Sequence, residues 1–304
     1  MSCFAYPFSD YKFYFITGFM KLLNRSEEIT FVRLLNAVVD EGAHVFPKMR
    51  IADTLPINDS GISETLFSFA LRAHFDFVIS DSQYEPLFAV EFDGPLHSTS
   101  REQQDRDKKK NEICQQFHFP LLRINSRYIN AKYRGMDLLS YFIQVWFFSV
   151  AFSDAQENGL VPYDELFDPN LIISDGKSNQ RFPYWLALDV QREIQTMHKQ
   201  GLLFDYVPSY WTGVDQHGNY RSLAWLQVGN DQFLVTQTGM RKQLFPINAT
   251  DILSQVSVFD LRKMIDLFFV KRSTAIPLNQ FQEELKRYTS QYEMRSFVGA
   301  DQFI

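Results

Sequence analysis

Two apolar runs that carry carboxylates dominate the fold problem posed by this chain. The first is His74-Phe-Asp76-Phe-Val-Ile, and the second is Pro86-Leu-Phe-Ala-Val-Glu91-Phe-Asp93-Gly94. A charged stretch, Arg106-Asp107-Lys108-Lys109-Lys110, follows, and then a third apolar run, Pro120-Leu-Leu-Arg123-Ile. Carboxylates set into apolar strands cost free energy unless something compensates them. Where several converge, a divalent cation is the usual compensation.

The period-2 pattern of a strand makes the convergence explicit. Over 73–80, His74, Asp76 and Val78 share one face, and Phe75, Phe77 and Ile79 the other. Over 87–93, Ala89, Glu91 and Asp93 share a face, opposite Val90 and Phe92. A short polar link over 81–86 suits neighbouring strands. Antiparallel pairing then brings Asp76 near Glu91 and Asp93, with Asp93-Gly94 as the closing turn. Three carboxylates there repel one another unless a cation lies between them.

Residues 100–119 read as a helix. Ile113, Cys114 and Phe117 form its apolar stripe. Asp107 and Lys110 extend that stripe backwards by steps of three and four, so they project toward the sheet. Lys108 and Lys109 point outward as solvated charges. Upstream, Ser26 is a plausible N-cap for a helix with Glu27 and Glu28 in its first turn and Phe31, Leu34, Leu35 and Val38 as its apolar face. Residues 45–51 read as the first strand and 52–71 as an irregular insertion.

These residues together resemble the PD-(D/E)XK nuclease superfamily, with its restriction-endonuclease-like fold. The nearest likeness is to uncharacterised nuclease-like domains related to the very-short-patch repair endonucleases. The resemblance spans about residues 25–130. It rests on a helical Glu at Glu28, an Asp-Phe strand at Asp76-Phe77 and a Glu-x-Asp strand at Glu91-Phe92-Asp93. Further matches are a downstream His97, an Asp-x-x-Lys helix from Asp107 to Lys110, and the Pro-Leu-Leu-Arg strand from Pro120.

The resemblance implies an α/β fold, a mixed sheet flanked by helices, and hydrolysis of phosphodiester bonds with Mg²⁺ or Mn²⁺. It implies Asp76, Glu91, Asp93 and Glu28 as metal ligands, helped by the Phe92 carbonyl, and a water or second ion at Asp93 or His97. The superfamily's Lys two positions after the strand Glu is Asp93 here. The helix supplies the substitute, Lys110 first and Lys109 second, with Asp107 holding Lys110 by an ion pair. A domain whose Lys does not reach the site binds nucleic acid, or scaffolds a complex, without cutting.

The remaining composition bounds the setting. A chain of 304 residues is long enough for two domains, divided here at 1–150 and 151–304. Net charge is −6, which argues against unassisted coating of nucleic acid. Basic residues nevertheless cluster over 101–110 and 123–134, beside the proposed site, with DNA rather than RNA as the expected substrate. Aromatic content is 16%, with 30 Phe, which demands large buried surfaces or an interface with a protein partner or a second copy. Cys3 and Cys114 offer no disulfide framework, and no signal peptide or membrane span is read, so a cytoplasmic location is expected. Residues 138–152 are apolar but short of the ~18 needed to cross a bilayer, and read as a buried or interfacial helix.

In the second half, a helix is expected over 181–203 and a β-hairpin over 222–237 turning at Gly229-Asn230. Helices are expected over 250–270 and 277–292. This half is an α+β region without a chemical motif. Recognition or assembly falls to it by elimination.

Overall fold

Four strands form the first sheet, in the order β1 (His44–Arg50), β2 (His74–Ser80), β3 (Pro86–Phe92) and β4 (Leu121–Ile124). The first three pair antiparallel, and β4 joins β3 in parallel. A parallel step needs a crossover, and α4 (Arg101–Gln116) provides it. The computed structural model describes residues 21–93, 101–169, 185–271 and 275–299. Gly94 and His97 lie outside them.

Alternation in the strands sends apolar side chains to both faces. Val78 and Ala89 pack with Ile113 and Cys114 of α4. Phe77, Ile79, Phe88 and Val90 pack on the other face, against α1 (Arg25–Val38), α5 (Ser126–Asn130) and α6 (Leu138–Glu157). The sheet is thus a central layer between helices, an α/β arrangement. Phe75 departs from the expected alternation. It packs with Ile51 and Phe119 on the α4 face, although Phe77 faces the other way. The β2–β3 ladder ends at Phe77 opposite Val90, and the strand changes phase across Asp76.

Helix α1 starts earlier than Ser26 suggests. Asn24 is its N-cap and accepts from the Glu27 amide at 3.0 Å, while the Glu27 side chain accepts from the Asn24 amide at 2.8 Å. This reciprocal box satisfies two of the free donors at the helix start. The 52–71 stretch is likewise more ordered than expected. It contains α2 (Ile51–Thr54) and α3 (Glu64–Ala70), whose Ile51, Leu66 and Ala70 extend the α4-face core.

Helix α6 runs for 20 residues, past the stretch expected, and by length and composition it reaches what a membrane span requires. Its first half is nevertheless core: Leu139, Phe142 and Ile143 are fully buried, and Phe88 packs on Trp146 with ring centroids 4.7 Å apart.

The second half builds a five-stranded antiparallel sheet, ordered β8 (Ile276–Pro277), β7 (Gln232–Met240), β6 (Tyr220–Gly229), β5 (Ser209–Val214) and β9 (Glu293–Val298). The expected hairpin is β6–β7. Helices α7 (Leu188–Lys199) and α8 (Ala249–Phe269) cover one face, and α9 (Leu278–Gln291) the other. The two halves meet in one core, because Phe245, Ile252, Leu253 and Val256 pack in the same cluster as Phe88 and Ile124.

Candidate active site

Where the β2–β3 ladder stops, two acidic side chains take over its hydrogen bonds. Asp76 Oδ2 accepts from the Phe92 amide at 2.9 Å, and Glu91 Oε1 accepts from the Asp76 amide at 3.3 Å. The strands therefore stay joined through carboxylates. A backbone N–H left unpaired here would carry a desolvation cost, which gives both side chains a structural reason to be acceptors.

Each carboxylate also has a cation. Lys110 Nζ, from α4, lies 2.6 and 2.7 Å from the two oxygens of Glu91. Both partners are largely out of solvent, Lys110 at 13% side-chain exposure and Glu91 at 8%. Burial pushes the Glu91 carboxyl above its ordinary value, and the Lys110 ammonium pulls it only part of the way back. On the far side, Lys48 Nζ sits 2.8 Å from Asp76 Oδ1 and 2.5 Å from Glu27 Oε1. Burial lowers the Lys48 ammonium, but hydrogen bonds to Asp76 and Glu27 prevail and leave it raised.

The expected grouping of Asp76 with Glu91 is thus present, and Lys110 reaches it. Asp93 goes elsewhere. Its oxygens face Arg123 at 3.3 Å and Arg241 at 2.5 Å. Asp107 was expected to hold Lys110. Instead it is buried against Arg123 Nη1 at 3.2 Å, because β4 presents that guanidinium directly beneath α4. Arg123 also donates to Asn111 Oδ1 at 3.0 Å. Burial lowers Arg123, but Asp107, Glu91 and Asp93 more than offset it.

Glu28 is not brought to the cluster. It faces Lys21 at 3.4 Å on the surface. Glu27 is the residue connected to Asp76, since starting the helix at Asn24 turns Glu27 toward β1. The Asn24-x-x-Glu27 pattern was the signal for that start. Lys109 pairs with Asp105 at 2.6 Å and stands over the Phe69 ring, while Lys108 is exposed. No local signal marked Lys48 or Arg241, whose partners arrive from distant segments.

Each of the two carboxylates thus faces an ammonium group, Asp76 that of Lys48 and Glu91 that of Lys110. Among the described residues no group of three or more His, Cys, Asp or Glu side chains is arranged to hold a metal. The Asp76–Glu91 pair still has the chemistry of a hard-cation site, namely adjacent carboxylate oxygens with one carboxylate driven from solvent. Asp76 borders a cleft of about 840 Å³ whose wall mixes basic side chains, Lys48, Arg72 and Lys110 among them, with the acidic Glu102 and Asp105. A second cavity of about 690 Å³ lies between the halves, at the carboxyl ends of β3 and β4, with Asp93, Arg123, Arg221 and Arg241 in its wall.

No curated protein and no solved structure matches the chain. Residues 20–136, which contain every element of the first sheet and both carboxylates, match a family model described as a protein of unknown function (DUF2726).

Proposed function

We propose that this chain is a metal-dependent nuclease of the PD-(D/E)XK kind, hydrolysing phosphodiester bonds of nucleic acid, DNA in preference to RNA, in the cytoplasm. The observation that carries the reading is the Lys110–Glu91–Asp76 arrangement on adjacent strands, with Lys110 and Asp76 both lining a cleft.

Asp76 and Glu91 would hold Mg²⁺ or Mn²⁺ through carboxylate oxygens. A bound ion of this type lowers the pKa of its water and offsets charge developing on the phosphate. The chain's own residues do the rest. Lys110, fixed on a helix rather than a loop, sets a positive charge beside Glu91 that favours the more negative transition state. Arg72 along the cleft offers charge to a flanking phosphate, whereas Arg106 and Lys109 are paired with Glu102 and Asp105. Arg123 neutralises Asp93 and Asp107, keeping two further carboxylates away from an anionic substrate.

Incubation of the pure protein with end-labelled DNA and RNA, with and without Mg²⁺ or Mn²⁺, tests this. Ion-dependent cutting that Asp76→Ala abolishes is the expected result. A second reading, a silent module that binds nucleic acid without cutting, is favoured by one observation. Both carboxylates already carry ammonium partners. Binding of labelled DNA with no cleavage under either ion selects it.

A further inference from the structure

Lys48 stands in a conformation that strands do not ordinarily contain. Its φ is 53°, in the left-handed region, within β1. Pro47 opposes Phe77 and Met49 opposes Phe75, which sets Lys48 across from Asp76. Such a backbone is strained for a residue with a β-carbon and persists where surrounding contacts hold it. Here the contacts are two carboxylates. The ammonium bridges Glu27, 12% exposed, and Asp76, 20% exposed. Proline before it is tolerated because β1 is an edge strand.

We propose that Lys48 is a positioning residue that occupies the place of a divalent cation at Asp76, so that ion entry requires its ammonium to leave. The inference rests on reading Asp76 and Glu91 as the ion-binding pair. Glu27 and Asp76 both direct an oxygen at Lys48 Nζ, so removing the ammonium leaves a gap between two carboxylates that had shared one cation. That gap has the charge and donor type of a hard-cation site. Lys48 lines the cleft with Arg72 and Lys110, so the freed ammonium faces the side from which an anionic phosphodiester arrives.

Titration calorimetry with Mn²⁺ alone, on the full chain, tests the proposal with Lys48→Met, Lys48→Asn and Lys48→Arg. Lys48→Asn accepts a left-handed backbone and removes the charge, so it reports even if Lys48→Met fails to fold. Both neutral variants are expected to bind Mn²⁺ at least tenfold more tightly than wild type, with Lys48→Arg near wild type. A merely structural lysine gives no such tightening. Unchanged or weaker binding by folded Lys48→Asn overturns the proposal, while wild-type binding that Asp76→Ala removes leaves the ion-site reading standing. If wild type and Asp76→Ala bind Mn²⁺ alike, or no form binds it, the ion-site reading falls and this inference falls with it.

Discussion

Lys110 Nζ touches both oxygens of Glu91, and neither partner has another route to full solvation. The pair is therefore one electrostatic unit made from a helix and a strand. Removing Lys110 leaves the buried Glu91 carboxylate without its counter-charge. Lys110→Ala is expected to lower stability at neutral pH by about 3–5 kcal/mol and to abolish cutting. Lys108→Ala, on the exposed side of α4, is expected to do neither. Chemical denaturation and cleavage assays read the two effects separately. A Lys110→Met, Glu91→Gln double variant, which removes both charges and keeps an acceptor for the Asp76 amide, is expected to recover most of the lost stability and none of the activity.

Asp76 serves the fold as well as the proposed chemistry. Asp76→Ala strands the Phe92 amide, at an expected cost of about 1–3 kcal/mol. Hydrogen exchange at Phe92 should accelerate while exchange at Val90, inside the intact ladder, stays slow. Asp76→Asn, which keeps an acceptor, is expected to preserve the protection.

The arginines around Asp107 are unequal. Arg123 is 4% exposed and serves Asp93, Asp107 and Asn111, whereas Arg241 is half exposed. Arg123→Ala is expected to prevent stable folding or cost about 3–5 kcal/mol. Arg241→Ala is expected to cost under about 1 kcal/mol. Equal effects in thermal denaturation would remove Arg123 from its central place.

Cys114 is a pH probe inside the α4 core. Burial, and secondarily the charge of Glu91, pushes its thiol up to about 12. The native state therefore keeps this proton longer than the unfolded chain does. The resulting stability is complete below the ordinary thiol range and is lost as pH rises above it, by on the order of a few kcal/mol. Peptide-resolved alkylation should find Cys114 inert in the native protein at pH 8 and reactive once unfolded.

Much of this architecture was legible from alternation and charge. The carboxylate strands, the Lys110 helix and the β6–β7 hairpin follow from side-chain periodicity, which is a local property. What escaped depends on phase or on distance. Glu28 matches the helical Glu of the resemblance, yet it is Glu27, in the capping box with Asn24, that reaches Lys48. Phe75 packs on the α4 face, away from Phe77, just past the end of the β2–β3 ladder, an event that no period-2 rule contains. Asp107 appeared destined for Lys110 because the two share a helix face. Arg123, arriving from β4, wins by being buried beside it. β9, a mostly exposed edge strand, shows too little alternation to announce itself.

The shared core also fixes what can be moved between proteins. The segment resembling a known family stops at residue 136, yet α6 begins at Leu138, and Phe245 and Ile252 come from still further along. These outside residues roof the sheet face formed by Phe88, Val90 and Ile124. A graft or truncation drawn at the edge of the resemblance would carry Asp76, Glu91 and Lys110 intact, on a sheet with one side stripped. The span that matches the family model and the span that closes this core are different lengths of chain here.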